Sequence, residues 1–248
     1  MRILKKYRNT IEFEVFGSYA LFSEPVTRVG GEKTSYHIPT YEALRGIVES
    51  IYWKPTIMWI IDAVRIMNPI QTETKGIRPI KYNGGNELSY YTYLRNVRYQ
   101  VRAHFEMNHN HPELEEDRNE HKHHNISKRM VKRGGRRDIF LGTRECQAFV
   151  ELCEFGEGES YYDNMDEELD YGFMYHGITY PEEAVLEEDK GKMTVRFWKP
   201  VMVKGGIIEF IRPEECTKKR HIKEMERKVF GKDDFSGLEE FTSEEVKD

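Results

Sequence analysis

The sequence has few of the features that mark a membrane-bound or secreted protein. Its longest apolar segment is interrupted by Asp62 and Arg65, so no run approaches the ~18 residues of a membrane-spanning helix. The basic residues at the N-terminus are not followed by an apolar core, and we expect no secretory signal. The cysteines are odd in number and lack CxxC spacing, which favours a reducing, cytoplasmic compartment over a disulfide scaffold; they are Cys146, Cys153 and Cys216.

Three widespread catalytic motifs are also missing. The sequence contains no GxxxxGK[ST] phosphate loop, no GxSxG nucleophile elbow and no HExxH zinc motif. Cysteine-based catalysis is not favoured either, because Cys146 and Cys153 lie in strand-like segments typical of core residues.

Charged and aromatic side chains, by contrast, are abundant. Of the 248 residues, 33% are charged and 12% aromatic, which predicts a folded chain with one large domain or two small ones. The net charge of −5 hides an asymmetry, since residues 1–145 have 24 Lys/Arg and 17 Asp/Glu, whereas residues 146–248 have 14 and 26. Residues 118–145 alone have nine Lys/Arg against three acids. Such a patch can attract a phosphate backbone even in an acidic protein; the alternative is a solvated surface.

Residue periodicity predicts an α+β fold. Residues 11–16 alternate apolar and polar side chains, which indicates a half-buried strand, and residues 56–67 are typical of a buried strand. Between them, Thr40 is placed to cap a helix that ends before Pro55. This helix has a single apolar stripe, formed by Leu44, Ile47, Val48 and Ile51.

The clearest predicted strand spans residues 97–107. Its apolar residues alternate with polar ones that include Arg98, Arg102 and His104, so a two-residue period places cations opposite the core. A sheet with a helix on one side and cations on the other is a common RNA-binding surface, and the alternative is a solvated antiparallel sheet. We assign Arg98 and Arg102 to RNA binding on condition that this face is open.

A second candidate for RNA binding follows a segment that is predicted to be helical around Ile126–Lys132. It is the basic glycine loop, Arg133-Gly134-Gly135-Arg136-Arg137. Glycine lets a backbone approach a phosphate closely, and the flanking cations supply charge. We therefore assign all five residues to RNA binding.

The rest of the chain predicts a smaller unit. Short strands around Gly205 and Gly206 indicate an antiparallel β-domain over residues 146–216, which follows a first domain over residues 1–145. Residues 217–248 are mostly charged, and we expect a tail that is either helical or disordered.

His121, Lys122, His123 and His124 form a dense cluster. Three interpretations stay open: a metal site, although zinc motifs usually space histidines more widely, a plain polar loop, or RNA cleavage without a metal. RNA cleavage needs a proton acceptor for the ribose 2′-OH, a cation for the phosphorane and a proton donor for the leaving oxygen. Histidine, with an ordinary pKa near ~6.5, and lysine can supply these groups at neutral pH.

Several ungapped stretches make the sequence similar to a known family. They are GSYALFSEPV (17–26), GGEKTSY (30–36), PTYEALRGIVESIYWKP (39–55), RNEHKH (118–123), GGRRDIFLG (134–142), VRFW (195–198) and RPEEC (212–216). Over about residues 10–216 the chain resembles the pre-crRNA endoribonucleases of subtype I-C CRISPR systems. These are the d-type members of the fifth Cas family, within the RAMP superfamily.

The resemblance implies a ferredoxin-like (RRM-like) N-terminal domain and a small C-terminal antiparallel β-sheet domain. It implies cleavage of CRISPR repeat hairpins in pre-crRNA by 2′-OH attack, giving 2′,3′-cyclic phosphate and 5′-hydroxyl ends, with no metal and no other cofactor. It also implies that the protein stays on the crRNA 5′ handle. Its partners are then RNA and the other subunits of the interference complex, with target DNA as a further candidate and no membrane.

The family's catalytic residues fall on Tyr52, Lys122 and His123 of this sequence. We expect Lys122 to neutralise the phosphorane, His123 to move a proton, and Tyr52 to position or deprotonate the 2′-OH. The division between Tyr52 and His123 stays open, as does a contribution from His121 or His124. The alternatives are a subunit that caps crRNA without cutting it, and a metal-dependent DNase with ligands such as Glu115, Glu116 or Asp117.

Overall fold

A computed structural model describes residues 7–25, 28 and 31–229. The basic N-terminal residues 1–6, Gly30 of the second matching stretch and residues 230–248 of the expected tail lie outside the described residues. Within them, the α-helices are α1 (Tyr41–Ile51) and α2 (Glu120–Lys132). The strands are β1 (Ile11–Ala20), β2 (Lys33–Thr34), β3 (Ile57–Ile66), β4 (Thr72–Ile77), β5 (Ser89–Met107), β6 (Ile139–Phe140), β7 (Gln147–Leu152), β8 (Leu169–Asp170), β9 (Met174–Thr179), β10 (Lys192–Trp198), β11 (Val201–Met202), β12 (Ile207–Glu209) and β13 (Lys218–Glu224).

The largest sheet has the strand order β12-β3-β5-β1-β7-β6, with antiparallel neighbours throughout. The 19-residue strand β5 lies at its centre and pairs with β1 and with β3. The N-terminal part of β5 extends beyond β3, where it pairs with β4 antiparallel and with β2 parallel. The predicted strands at 11–16, 56–67 and 97–107 are confirmed, and the fold is a mixed α/β fold with mostly antiparallel sheets.

Both helices contact the large sheet and each other. Helix α1 begins where the sequence predicts, because the Thr40 hydroxyl accepts a hydrogen bond from the Ala43 N–H at 3.1 Å, and its apolar stripe is buried. Helix α2 begins six residues earlier than predicted, at Glu120, because Asn119 caps it. Its buried residues are spaced four apart, on one face of the helix: His123, Ser127 and Val131.

The C-terminal part of the chain forms two small sheets, with strand orders β13-β10-β9 and β11-β8. Strands β7 and β12, which follow the predicted boundary after residue 145, pair with β1 and β3 of the large sheet. The division into domains therefore stays a prediction. Strand β13, whose residues are all exposed, differs from the helical or disordered tail expected there.

The cationic sheet face expected at residues 97–107 is covered over most of its length, and only Arg98 is exposed on it. Gln100 and His104 are buried, and the Gln100 side-chain amide donates to the Glu157 carbonyl at 2.7 Å. The Arg65 guanidinium reaches the same carbonyl at 3.0 Å and the Asp163 carboxylate at 2.8 Å. The expectation is wrong here because these polar side chains hydrogen-bond a loop from a distant part of the chain, which covers this face of the sheet.

None of the helices in the described residues is long and apolar enough to cross a membrane. Cys146, Cys153 and Cys216 are all free thiols; Cys146 and Cys216 are buried and Cys153 is half-buried.

Candidate active site

Tyr52 is the first residue after α1, and hydrogen bonds fix its backbone on both sides. Its N–H donates to the Val48 carbonyl at 2.9 Å, and its own carbonyl accepts from the Trp59 indole N–H at 2.8 Å. The backbone turns from helical to extended at this residue (φ −155°, ψ 127°), as expected of a helix that ends shortly before a proline. The Tyr52 side chain is only 4% exposed and therefore has a defined position.

His123 lies in the second turn of α2 and is fully buried. The Asn119 side chain starts this helix by accepting from the Lys122 N–H at 3.0 Å. The start of the helix determines the phase of its first turns, so that His123 faces inward and its neighbour Lys122 faces solvent. The Ser127 hydroxyl donates to the His123 carbonyl at 2.7 Å.

The Tyr52 hydroxyl lies 2.7 Å from Nδ1 of His123. On the other side of the ring, Nε2 of His123 lies 2.8 Å from the Asp117 carbonyl oxygen. A carbonyl can only accept, so Nε2 carries a proton, and in the neutral form of the ring Nδ1 is then an acceptor. In that form the Tyr52 hydroxyl donates a hydrogen bond to Nδ1 of His123. The lone pairs of the phenol oxygen are then available for another donor.

Asp117 connects the imidazole to the neighbouring ammonium group. It is the last residue of a 3-10 helix, Pro112–Asp117, and its carboxylate forms an ion pair with the Lys122 ammonium. The same carboxylate accepts from the Thr56 hydroxyl at 2.9 Å and lies 3.5 Å from Nε2 of His123. Lys122, with a side chain 46% exposed, is the solvent-facing end of this arrangement.

Two pKa shifts follow from these surroundings. Burial raises the pKa of Tyr52 to about 12, the Asp117 carboxylate adds to the rise, and the Arg136 guanidinium opposes it. Desolvation acts to raise the pKa of Asp117, but hydrogen bonds from Lys122 and Thr56 outweigh it and lower that pKa below its ordinary value. At neutral pH the site therefore holds a protonated phenol and an ionised carboxylate.

An open cavity of ≈ 380 Å³ lies on the far side of Trp53, and none of Tyr52, Asp117, Lys122 and His123 lines it. Its wall includes Trp53, the residue after Tyr52, which is 38% exposed. The rest of its lining is formed by Pro55, Ile57, Asn108, His111, Tyr180, Glu182, Glu183, Met225 and Lys228.

The basic glycine loop lies against the C-terminus of α1. The N–H groups of Arg136 and Arg137 both donate to the Ser50 carbonyl at 3.2 Å, so they satisfy α1 rather than a phosphate. Gly134 and Gly135 have positive φ angles of 88° and 103°, and their N–H groups close the end of α2. The glycines thus turn the chain from α2 to α1.

The arginines of this loop differ from those of the sheet face in their exposure and in their ion pairs. Arg133, Arg136 and Arg137 are exposed, and no carboxylate within the described ranges lies within ion-pair distance of them. By contrast, Arg98 pairs with Glu14 at 2.7 Å, and Arg102 pairs with Glu12 at 2.8 Å.

RNA contact by the two sheet arginines stays a prediction. The Arg102 side chain is only 12% exposed, and its guanidinium lies 4.5 Å from the centre of the Phe155 ring. The Arg98 side chain is half exposed, so it is the more accessible of the two.

The remaining histidines of the cluster lie apart from the Tyr52 hydroxyl bond. His124 points toward the start of β1, where its Nε2 is 3.2 Å from the Thr10 carbonyl, and His121 is exposed. Over residues 7–25, 28 and 31–229, no group of three or more His, Cys, Asp or Glu side chains is arranged to hold a metal ion.

Sequence reasoning considered Asp117 only as a metal ligand and did not consider Thr56 or Arg136 at this site. Lys122 Nζ and Thr56 Oγ1 both contact the Asp117 carboxylate, although Thr56 belongs to the turn before β3. The one available signal was the position of Asp117 two residues before the helix cap Asn119, close in sequence to Lys122 and His123.

The chain is similar to known CRISPR-associated proteins. Residues 10–210 match the family model Cas_Cas5d, described as CRISPR-associated protein (Cas_Cas5). A "CRISPR pre-crRNA endoribonuclease Cas5d" from Mannheimia succiniciproducens is 41% identical over 66 residues, which are 27% of this chain and 28% of that protein. A protein of the same name from Thermus thermophilus is 37% identical over 57 residues, 23% of this chain and 24% of that protein. The chain thus matches about a quarter of the length of these curated relatives.

A solved structure gives a longer match. It is the crystal structure of a CRISPR-associated protein, with 36% identity and a TM-score of 0.70, and the match covers 85% of this chain and 96% of that one. Fold and sequence together define the chain as a CRISPR-associated protein. Since the family model matches residues 10–210, the chain belongs to the Cas5d family.

Proposed function

We propose that this chain is a metal-independent endoribonuclease that cleaves CRISPR repeat hairpins in pre-crRNA and stays on the crRNA 5′ handle. The observation that supports this most directly is the hydrogen-bonded series Tyr52–His123–Asp117, which ends at the exposed Lys122. The two curated relatives have the name of this activity.

The proton path of the proposed reaction runs through Tyr52. His123 is fully buried, so it acts on RNA only through the Tyr52 hydroxyl that it holds. As the ribose 2′-OH attacks the adjacent phosphorus, its proton passes to the Tyr52 oxygen while the Tyr52 proton passes to Nδ1 of His123. The resulting imidazolium is stabilised by the Asp117 carbonyl and by the carboxylate 3.5 Å away.

Lys122 supplies the charge that the transition state needs. Its ammonium group faces solvent and is oriented by Asp117. An incoming phosphodiester can therefore contact the ammonium group from the solvent side. There it neutralises the extra negative charge of the phosphorane. The 5′-oxygen leaves as a hydroxyl after protonation by water, and the hydroxide so formed takes back the His123 proton through the Tyr52 hydroxyl. The ribose is left with a 2′,3′-cyclic phosphate.

RNA is held by the cations next to this site. Arg133, Arg136 and Arg137 are exposed at the C-terminal ends of both helices, and Arg136 is close enough to Tyr52 to oppose the rise in its pKa. These arginines bind phosphates of the hairpin stem, which is recognised largely by shape. Trp53, the residue after Tyr52, is 38% exposed, and its ring can stack on a base.

The wider context of the proposal comes from the family. We propose the other subunits of the subtype I-C interference complex as protein partners, target DNA as a further one, and the cytoplasm as the compartment, which the free thiols support. We further propose a ferredoxin-like core, because the order β3-β5-β1-β7, with α1 after β1 and α2 after β5, is the βαββαβ arrangement.

A substrate with a single missing hydroxyl tests the proposal. A repeat hairpin with one 2′-deoxyribose on the 5′ side of the scissile phosphate retains every phosphate and base. We expect it to bind as tightly as the all-RNA hairpin and to remain uncut. Cleavage of the deoxy substrate at the rate of the all-RNA hairpin would contradict the proposed 2′-OH attack.

A further inference from the structure

A second group of tyrosines and lysines lies at the end of β5 that is remote from Tyr52. In the three-stranded extension formed by β2, β5 and β4, Tyr91 is paired with Lys33 on one side and with Lys75 on the other. Because paired residues point to the same face of a sheet, the two lysines flank the tyrosine on that face.

The rings and ammonium groups of this surface are in contact. The Lys75 ammonium lies 3.4 Å from the centre of the Tyr19 ring, and the Lys33 ammonium lies 5.0 Å from the centre of the Tyr91 ring. Tyr93 stands between the two other rings, with centroid distances of 6.0 Å to Tyr19 and 6.4 Å to Tyr91. Each lysine therefore holds a positive charge over an aromatic face, and Lys75 is also paired with the Glu73 carboxylate at 3.6 Å.

Carboxylates hold the hydroxyl groups of Tyr19 and Tyr93, which fixes the positions of these two rings. The Tyr19 hydroxyl donates to the Glu73 carboxylate at 3.2 Å, and the Tyr93 hydroxyl lies 3.3 Å from Glu145. Strand β4 alternates exposed and half-buried residues, and its half-buried residues face this group. An open cavity of ≈ 340 Å³ lies between β4 and these rings. It is lined by Tyr19, Lys75, Ile77, Tyr91, Tyr93 and Glu145, and Lys33 lies at the other side of Tyr91.

We propose that this tyrosine–lysine pocket binds an unpaired nucleotide of the RNA, outside the repeat hairpin. A nucleobase stacks on tyrosine faces, and the phosphates on either side of it attract the two ammonium groups. A nucleotide chain places a phosphate on each side of its base, which matches the lysines on both sides of Tyr91. The inference rests on the proposed function for the identity of the RNA, but not for the chemistry of the pocket.

The distance to the catalytic site determines which part of the RNA enters the pocket. Tyr91 is fourteen residues before Phe105, whose ring lies 6.1 Å from that of His123. Along a strand this separation is at most about 46 Å. A stacked strand rises about 3.4 Å per nucleotide, so on the order of ten nucleotides lie between the cut and the pocket. Because stem bases are already paired and stacked on one another, the nucleotide that enters the pocket belongs to a single-stranded extension of the hairpin.

The test compares a hairpin with a 15-nucleotide unpaired extension and the same hairpin without one, by fluorescence anisotropy on the full chain. Tyr91→Leu and Lys75→Gln are the test variants. Tyr90→Leu is the matched control, because Tyr90 is the neighbouring residue on the opposite face of β5 and is 50% exposed. We expect Tyr91→Leu to weaken binding of the extended RNA about tenfold, Lys75→Gln to weaken it less, and Tyr90→Leu to change nothing. All three should bind the bare hairpin as the unmodified chain does.

Photo-crosslinking on the unmodified chain provides a second measurement that does not depend on the folding of a variant. With 4-thiouridine in the extension, we expect crosslinked peptides that contain Tyr19, Tyr91 or Tyr93. Equal affinity of Tyr91→Leu and the unmodified chain for extended RNA, or crosslinks confined to other segments, would overturn the pocket. Failure of the bare hairpin to be cut would instead count against the proposed function, and the extension-dependent affinity would still report on the pocket.

Discussion

The Tyr52 hydroxyl and Nδ1 of His123 lie 2.7 Å apart, although 71 residues separate them in the chain. Tyr52 is the first residue after α1, and His123 is the fourth residue of α2. The bond therefore forms where the two helices meet. Because Nε2 of His123 donates to the Asp117 carbonyl, the Tyr52 hydroxyl is the donor of this bond in the neutral form of the ring. The phenol and the imidazole therefore act as one proton-transfer unit.

Removal of either member of this unit should abolish most of the activity. We expect Tyr52→Phe, which deletes only the hydroxyl, to slow hairpin cleavage by about 100-fold or more with little change in RNA affinity. His123→Gln should slow it to a similar extent. Single-turnover rates at saturating protein measure the effect on the chemical step.

The double variant Tyr52→Phe/His123→Gln distinguishes one unit from two independent groups. If the residues act in series, the double variant cleaves no more slowly than the slower single variant. Multiplication of the two effects would contradict the series. His121→Gln, an exposed imidazole in the same helix, is the matched control and should cut at the unmodified rate.

Asp117 should affect the rate through its two partners. Asp117→Asn retains the backbone carbonyl that holds His123 but removes the charge that stabilises the imidazolium and orients Lys122. We expect cleavage about 10- to 100-fold slower, with no loss of folding at pH 7. Because hydrogen bonds from Lys122 and Thr56 lower the pKa of Asp117, its carboxylate stays ionised between pH 7 and pH 5, and the rate difference between the unmodified chain and Asp117→Asn should persist over this range. A difference that disappears between pH 7 and pH 5 would contradict this role.

The arginines of the basic glycine loop should contribute to RNA affinity in a salt-dependent way. Replacement of Arg133, Arg136 and Arg137 by Gln removes up to three phosphate contacts. The slope of log affinity against log salt should then become shallower by about 2, since each contact contributes about 0.7 to 0.9. Anisotropy titrations between low and moderate salt measure this slope.

Arg220→Gln is the control for that measurement, because Arg220 is an exposed cation of β13, in the small sheet β13-β10-β9 and not in the basic glycine loop. Its slope should equal that of the unmodified chain. An unchanged slope in the triple variant would remove the loop from the interface. Arg98→Gln, measured in parallel, tests whether the exposed half of that side chain contacts RNA.

The sequence predicts the parts of this site that depend on local patterns. The Thr40 cap, the apolar stripe of α1 and Pro55 locate the end of the helix and hence Tyr52, as the structure shows. The pairing of Tyr52 with His123 follows from a family resemblance and from no periodicity. The loop that covers Arg65 and Gln100 was not predicted, because its hydrogen bonds join residues more than fifty positions apart. Non-local contacts of this kind leave no period in the sequence.

His176 should make stability depend on pH. It is stacked on Tyr41 at 4.3 Å between centroids, and burial lowers its pKa from 6.5 to about 4. Between those pH values the unfolded chain binds a proton at this residue and the folded chain does not. The free energy of unfolding therefore falls as pH drops through this window, by about 3 kcal/mol in total from this residue.

Urea unfolding at pH 7, 6, 5 and 4.5 measures that effect. His176→Gln should lose less stability than the unmodified chain over this range, because it lacks the group that takes up the proton. His37→Gln, which changes an exposed histidine, should follow the unmodified chain. Parallel curves for His176→Gln and the unmodified chain would show that His176 does not contribute.

The most direct test of the central claim is end-group analysis of a repeat hairpin cut by the purified chain in excess EDTA. The proposed Tyr52–His123–Lys122 chemistry predicts cleavage at the rate seen without chelator, one product ending in a 2′,3′-cyclic phosphate and the other beginning with a 5′-hydroxyl. Loss of cleavage in EDTA, or products with a 3′-hydroxyl and a 5′-phosphate, would contradict it.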